Sequence, residues 1–312
     1  MKIRYVWTGL AALGFSTGVA LADYPDRTIN LVVPFIAGGG SDVPARFFAA
    51  AMEPILGQNI VVTNVDGAGG TIGATQMADA EPDGYNLLFA PVGTMTTQPH
   101  LRNTSYNVDS WSPICMISEG AYYLVVGQDS GIETIDDYIA LSENGGPRFV
   151  GAGPGSMDHV AQLTLDHELG VTSQYLPTAG GQDKAIEIGG GRADGSVWFA
   201  DFDTLFNFHA LAIMADQRSE QHPDVPTMQE LGYDVQVSIW FGLFAQDDAP
   251  AEAIETLSAA CEEAVASDDF VEDMNTANRL IRYMDTEEFT NFFRNAFELN
   301  GELMREAGLV GD

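Results

Sequence analysis

Short apolar runs alternate with amphipathic segments along most of the chain. The run "INLVVPF" is typical of a buried strand, and residues 42–56 after it carry apolar positions at helical spacing. The same order recurs with "NIVVTNV" and a helix from about 71 to 80, and "EPDGYNLLFA" adds a third strand. Strands that alternate with helices in this way predict an α/β protein with mostly parallel sheets.

A second series of strands and helices follows the segment "WSPICMISEG". Its predicted strands are "AYYLVVG", "RFVGAG", "SQYLPT", "GSVWFA" and "ALAIMAD", with helices near 133–143, 156–169 and 182–189. The segment "SIWFGLFAQ" then resembles a return to the first set, and helices near 250–266, 268–276 and 286–307 close the chain.

The chain therefore crosses twice between two sets of elements, near 116–120 and near 236–241. These crossings predict a two-lobed fold of the periplasmic-binding-protein type, with a hinged cleft between two sheets. Residues 23–115 and 241–312 are expected in lobe 1, and residues 116–240 in lobe 2. Ligands of such sheets bind outside the carboxyl ends of the strands.

The first 22 residues have the pattern of a secretory signal. Lys2 and Arg4 precede a short apolar run that ends in Ala20-Leu21-Ala22, which predicts cleavage before Asp23. No later stretch reaches the roughly 18 continuous apolar residues that indicate a transmembrane helix. The sequence therefore predicts a free, exported protein in the periplasm.

Charge and cysteine usage narrow the possible partners. The formal net charge is −32, which disfavours nucleic acid and anionic membrane surfaces. Cys115 and Cys261 are expected in an oxidising compartment, but their spacing does not say whether they are bridged. Neither cysteine lies near a His or Asp cluster, so no metal site is predicted. The protein is expected to be a monomer.

Four glycine-rich loops precede predicted helices, and each could hold an anion. They are "GGGSDV" at 38–43, "GAGGTIGA" at 67–74, "GPGS" at 153–156 and "TAGGQDK" at 178–184. Unpaired N–H groups and the helix dipole favour negative charge at such a helix start. A dinucleotide site is disfavoured, because Val43 stands where the fingerprint needs Gly or Ala and Asp42 would oppose the pyrophosphate.

Catalysis is disfavoured by the spacing of the reactive side chains. Ser156, Asp158 and His159 lie within one helical turn, so they cannot align as nucleophile, base and orienting acid. His159 and His167 are eight residues apart, and their directions on a helix differ by roughly 80°, which does not suit a shared metal. Ser156 is better interpreted as a helix N-cap that is open to the cleft. We therefore predict no enzyme activity and no cofactor.

Six motifs resemble, in order and spacing, the receptors of tripartite tricarboxylate transporters, the Bug/TctC family. They are "YPDRTINLVVPFIAGGGSDVPAR", "NVDGAGGTIGA", "EPDGYNLLFA", "GPGSMDHV", "HPDVPTMQELGYDV" and "IWFGLFA". The resemblance implies a two-lobed periplasmic receptor that closes on a small organic carboxylate and delivers it to membrane permease subunits. In this family the carboxylate is held mainly by backbone N–H groups and ordered waters.

The resemblance also implies a set of ligand-binding residues from both lobes. In lobe 1 they are Phe35, Ala37, Gly39, Gly40, Ser41, Asp42, Gly93 and Thr94; in lobe 2 they are Ser156, His159, Ala179 and Gly180. The segment around Asp201 and Asp203 is shorter and differently composed than is usual in the family, so no contact is carried over to it. Family members take di- and tricarboxylates, acidic amino acids or aromatic acids, so membership does not name the ligand.

Two other functions remain open at this point. A sensor that presents a bound carboxylate to a membrane signalling partner would use the same cleft. A secreted hydrolase is the third possibility, although the sequence offers no nucleophile and base in a suitable arrangement.

Overall fold

The structure is a computed structural model that describes residues 24–178, 180–199, 202–277, 279–306 and 308–310. The predicted signal segment, its cleavage before Asp23 and the candidate site residue Ala179 lie outside these ranges. No helix in the described ranges is long and apolar enough to cross a membrane.

Eleven strands are present in the described ranges. They are β1 (Ile29–Val33), β2 (Ile60–Asn64), β3 (Asn86–Pro91), β4 (Trp111–Ala121), β5 (Tyr123–Gly127), β6 (Arg148–Gly151), β7 (Gln174–Pro177), β8 (Gly195–Trp198), β9 (Phe208–Ile213), β10 (Ser238–Gln246) and β11 (Ile281–Met284).

The α-helices of the same ranges lie between and after these strands. They are α1 (Asp42–Leu56), α2 (Thr71–Ala78), α3 (Val92–Thr96), α4 (Gln98–Leu101), α5 (Ile135–Ala140), α6 (Met157–Leu169), α7 (Gly181–Gly189), α8 (Phe202–Phe206), α9 (Ala251–Val265), α10 (Asp268–Thr276) and α11 (Thr286–Glu306).

The strands form two sheets, which confirms the predicted α/β fold. The six-stranded sheet has the order β11-β4-β10-β3-β1-β2, and the five-stranded sheet has the order β7-β6-β8-β5-β9. The expectation of mostly parallel sheets is wrong in detail, because both sheets are mixed. β1 is parallel to β2 and β3, and β6 is parallel to β7 and β8, whereas the pairings of β10, β4, β11, β5 and β9 are antiparallel.

The antiparallel pairings arise where the chain passes between the sheets. β4 and β10 pair from Ser238 opposite Ala121 to Gln246 opposite Trp111, so the outgoing and returning strands lie side by side in the six-stranded sheet. The chain leaves the sheet along one of these strands and returns along its neighbour from the same end, so the two strands run in opposite directions. The predicted lobe boundaries at 115/116 and 240/241 fall within these two strands, and the division into lobes stays a prediction.

The core of the six-stranded sheet fixes the start of α1. Ala45, Phe48, Ala49 and Met52 form its buried face at helical spacing, and the Phe48 ring centroid lies 6.1 Å from that of Phe270 in α10. On the same side of the sheet, a disulfide joins Cys115 in β4 to Cys261 in α9, and both cysteines are fully buried. The pairing that the sequence left open is therefore resolved in favour of a bridge.

Candidate functional site

The loop after β1 is organised by the carboxylate of Asp42. Its Oδ2 accepts hydrogen bonds from the Gly38 N–H at 2.7 Å and from Arg46 Nε at 2.9 Å. Its Oδ1 accepts one from Asn64 Nδ2 at 2.8 Å. Ser41 is buried next to it, but its side chain makes no capping hydrogen bond to α1. Asp42 therefore holds the preceding loop against the start of α1.

Asp42 carries a compensated negative charge. Burial alone would raise the pKa of Asp42, but the hydrogen bonds from Arg46, the Gly38 N–H and Asn64 outweigh it and lower that pKa below its usual 3.8. The carboxylate is therefore ionised at neutral pH. The Arg46 side chain that balances it is 48% exposed, so this pair lies partly in solvent.

The loop after β6 uses a serine and a histidine to close the start of α6. Ser156 is the N-cap predicted from the sequence: its Oγ accepts the His159 N–H at 3.3 Å and donates to the Gly153 carbonyl at 2.8 Å. His159 Nδ1 accepts the Gly155 N–H at 3.1 Å. Burial lowers the pKa of His159, which favours the neutral ring that this acceptor role requires.

A buried ion pair lies behind this loop. Asp158 Oδ2 accepts the Ala152 N–H and Lys184 Nζ, both at 2.9 Å. Lys184 also donates to the Val197 carbonyl at 2.9 Å and lies 4.6 Å from the centre of the Trp198 ring. The exposed fractions of Asp158 and Lys184 are only 5% and 6%. The pair therefore joins α6, α7 and β8.

Phe35 and Thr94 converge on the second glycine loop. A Cβ atom placed on Gly70 would lie 2.4 Å from Thr94 Oγ1 and 3.2 Å from the Phe35 ring. Thr94 Oγ1 donates to the Gly69 carbonyl at 3.1 Å. The loops after β1, β2 and β3 thus meet at one edge of the six-stranded sheet, as the sequence analysis expected for parallel strands.

The two sheets' loops contact each other at Gly155. Its carbonyl accepts Thr97 Oγ1 at 2.6 Å and Gln98 Nε2 at 3.1 Å, and all three residues are buried. Close by, a Cβ atom on Gly93 would lie 3.5 Å from Met157 Cγ. The predicted residues Gly93 and Thr94 are therefore adjacent to the start of α6, where Ser156 and His159 lie.

Backbone donors remain at both helix starts. Within the described residues, the N–H groups of Gly40 and Ser41 at α1 donate to no protein acceptor, and neither do those of Met157 and Asp158 at α6. N–H groups at helix starts are suited to anionic oxygens, because the helix dipole adds to their partial positive charge.

The remaining predicted residues have looser connections. Ala37 is exposed, and the Gly39 carbonyl accepts the N–H groups of Asp42 and Val43. Gly180 precedes α7, and its carbonyl accepts the Lys184 N–H at 3.1 Å. Gly180 is thus linked to the Ser156 loop through Lys184 and Asp158, and through Thr178, whose Oγ1 donates to the carbonyls of Gly151 and Gly180.

Arg279 is a candidate residue that the sequence analysis missed. Its guanidinium lies 4.9 Å from the centre of the Phe199 ring, and a Cβ atom on Gly40 would lie 3.9 Å from Arg279 Nη2. Arg279 and Phe199 also line a cavity of about 440 Å³ beside the crossing strands. No sequence signal marked Arg279, because it lies between α10 and β11 and that short strand was not predicted.

The described residues contain no group of three or more His, Cys, Asp or Glu side chains placed to hold a metal ion. The two loops provide backbone N–H donors, a neutral histidine and hydroxyl groups. This arrangement can bind an anionic ligand without a metal.

The fold and these loops define a solute-binding receptor, and the chain belongs to the tripartite tricarboxylate transporter receptor family. The family model described as "Tripartite tricarboxylate transporter family receptor" matches residues 44–309. Protein BugT of Bordetella pertussis is 31% identical over 281 residues, which cover 84% of this chain and 84% of BugT. The UPF0065 protein in the TAR-I ttuE-ttuC' intergenic region of Agrobacterium vitis is 33% identical over 250 residues, 78% of this chain and 72% of that protein.

Solved structures agree with this family. The periplasmic binding protein BugD superposes with a TM-score of 0.83 at 29% identity, covering 93% of this chain and 100% of BugD. MatC from Rhodopseudomonas palustris with bound malate gives a TM-score of 0.80 at 27% identity, covering 90% of this chain and 99% of MatC. The family consists of periplasmic binding receptors and not enzymes, so the predictions of a receptor family and of no enzyme activity are confirmed.

Proposed function

We propose that this protein captures a small organic carboxylate in the periplasm and delivers it to the permease of a tripartite tricarboxylate transporter. The observation that carries the proposal is the pair of helix starts, α1 and α6, whose first N–H groups have no acceptor among the described residues. Two such N–H sets suit a ligand with two anionic ends.

We propose that the ligand lies between the loops after β1, β3 and β6. The N–H groups of Gly40 and Ser41 would meet one carboxylate, and those of Met157 and Asp158 would meet the other. The space between them would be lined by Gly93, Thr94, Phe35 and Ser156. His159 would support the loop after β6. Because MatC binds malate, a four-carbon dicarboxylate is the first ligand to test.

Calorimetric titration of the purified protein tests the proposal. Malate, succinate, citrate and glutamate are each titrated, and succinamide serves as the uncharged control of the same length. We expect at least one carboxylate to bind and to raise the melting temperature, because a ligand of the folded state stabilises it by mass action. Failure of every carboxylate, with hydrolysis of an ester or amide, would contradict the proposal.

A proline substitution tests the role of the backbone donors. Ser41→Pro removes one N–H at the start of α1, where proline is tolerated in a helix, and Ser41→Ala is the matched control that keeps this N–H. We expect Ser41→Pro to weaken binding about tenfold, in line with a hydrogen bond to a charged group, and Ser41→Ala to change it little. Equal effects of the two variants would argue against backbone recognition.

Transport in cells tests delivery to a permease. A strain that lacks this receptor should lose uptake of the radiolabelled ligand, and expression of the receptor should restore it. Normal uptake combined with loss of a transcriptional response to the ligand would instead support the sensor.

A further inference from the structure

We propose that Lys184 is a positioning residue for ligand binding: it neutralises Asp158 and thereby holds the loop after β6 ready for an anion. This inference rests on the proposed function, since it names how one half of that site is built. Lys184 and Lys2 are the only lysines of the chain, and Lys2 lies in the predicted signal segment. Lys184 is 6% exposed, an unusual position for a lysine.

The contacts of Asp158 show why a counter-charge is needed. Asp158 is the second residue of α6, so its carboxylate lies within one turn of the N–H groups that the ligand would use. An uncompensated carboxylate at this place would repel an anionic ligand, and more strongly in a buried site than in water. Lys184 Nζ lies 2.9 Å from Asp158 Oδ2 and supplies the opposite charge.

The pair also connects the two ligand-facing loops of this sheet to each other. Asp158 accepts the Ala152 N–H and so fixes the beginning of the 152–156 loop. Lys184 lies in the first turn of α7, four residues after Gly180. The hydrogen bond from Lys184 to the Val197 carbonyl anchors both loops to β8.

A further contact extends the cluster to the place where the chain crosses between the sheets. Burial, and after it the nearby Asp158 carboxylate, raise the pKa of the Tyr122 hydroxyl, so Tyr122 lies close to Asp158. The Tyr122 ring stacks on Phe199 with centroids 5.2 Å apart. Tyr122 lies between β4 and β5, the first passage of the chain. Asp158 is thus the point at which the loop, the lysine and the crossing meet.

The charge role is tested with two ligands that differ by one charge. The ligands are malate and its monoamide, and the quantity is the ratio of their dissociation constants. Lys184→Met should shift this ratio at least tenfold against malate, whereas Asp158→Asn should shift it towards malate. The double variant Asp158→Asn/Lys184→Met should return it to within about threefold of the unsubstituted protein.

Arg192→Met is the matched control for net charge. Arg192 is an exposed arginine between α7 and β8 and is paired with Glu187 of α7, so its loss changes the total charge by the same amount without touching the loop. We expect Arg192→Met to leave the ratio unchanged. A ratio that moves equally in Lys184→Met and Arg192→Met, or in neither, would overturn the charge role.

The positioning role is tested without any ligand by hydrogen exchange. The Ala152 amide should exchange at least tenfold faster in Lys184→Met than in Arg192→Met, because its acceptor is no longer held in place. Unchanged exchange would overturn the inference even if a carboxylate binds. If no carboxylate binds while exchange accelerates, the proposed function fails and the structural part of the inference stands.

The double variant also covers the case in which Lys184→Met does not fold. It carries no buried unpaired charge and should fold, and its ligand ratio together with that of Asp158→Asn still decides the charge role. A double variant that folds but favours the monoamide tenfold would contradict the proposal.

Discussion

The loop after β1 and the loop after β6 follow one plan with different counter-charges. In each, an aspartate in the first turn of the following helix accepts an N–H from its own loop: Asp42 from Gly38, and Asp158 from Ala152. In the first loop the balancing cation is Arg46, 48% exposed and on the same helix. In the second it is Lys184, which is buried and lies 26 residues further along the chain.

The first ion pair is therefore local to one helix, whereas the second depends on tertiary packing. Asp42 and Arg46 are one helical turn apart, so their pairing needs only α1. Asp158 and Lys184 meet only when α6, α7 and β8 are packed together. We therefore expect the first loop to tolerate loss of its cation, and the second loop to depend on it.

The largest expected effect is the loss of folding stability when the buried ion pair is broken. Lys184→Met leaves Asp158 buried and unpaired, which should lower the free energy of unfolding by about 3–5 kcal/mol. Arg46→Met should lower it by at most about 1 kcal/mol, because Arg46 is half exposed and the buried Asp42 keeps its hydrogen bonds from the Gly38 N–H and Asn64. Urea denaturation of both variants measures the difference; equal losses would show that the burial of the cation does not distinguish the two loops.

The second comparison concerns one glycine in each loop. Gly38 and Gly155 have φ of 75° and 78°, so alanine at either position carries the left-handed strain of about 1–2 kcal/mol. A Cβ on Gly38 would meet nothing within 4 Å, whereas on Gly155 it would lie 1.9 Å from Leu101 Cδ1. Gly155→Ala should therefore destabilise the protein more than Gly38→Ala in urea denaturation, since Leu101 must move and the hydrogen bonds from α4 must lengthen. A larger loss in Gly38→Ala would contradict this.

A smaller effect is expected at the two serines. Ser156 caps α6 through its hydroxyl, and Ser156→Ala should cost about 1 kcal/mol of folding stability. Ser41 makes no such bond, so Ser41→Ala should stay within about 0.5 kcal/mol. Thermal unfolding of the pair measures this; a matching loss at Ser41 would mean that its hydroxyl has a role the structure does not explain.

Local sequence signals predicted much of the fold. The amphipathic helix expected at 42–56 is α1 (Asp42–Leu56), and the N-cap expected at Ser156 begins α6. Both depend on short-range rules, apolar spacing and side-chain capping, that a single sequence displays. β4 was not identified as a strand, because Pro113, Ser118 and Glu119 interrupt the pattern expected of a buried strand.

Long-range pairings could not be predicted in the same way. The sequence placed Ser156 and His159 at a helix start, but nothing near Asp158 indicated that Lys184 would reach it from α7. Arg279 likewise reaches the Gly40 loop from a segment more than two hundred residues away. Such contacts depend on how the sheets and helices pack, and no periodic pattern encodes them. The ligand contacts carried over by resemblance stay a prediction.

The smallest expected effect is a pH dependence between pH 5.5 and 7.5, where His159 of the second loop is expected to titrate and Asp42 of the first loop stays ionised. Burial lowers the pKa of His159 below its ordinary 6.5, so between these two values the unfolded chain binds a proton that the folded protein does not. Folding stability should therefore be unaffected by His159 above pH 6.5 and should fall as the pH decreases from 6.5 through the folded pKa. Protonation would also cost the acceptor for the Gly155 N–H.

His159→Gln is the control for this pH dependence, because its amide oxygen can accept a hydrogen bond but does not titrate. All other titratable groups are shared by the two proteins, so their contributions cancel when melting temperatures at pH 5.5 and 7.5 are compared. The unsubstituted protein should lose more stability on acidification than the variant. If both lose the same amount, His159 does not titrate in this range, and the β6 loop is as insensitive to pH as the loop built on Asp42 and Arg46.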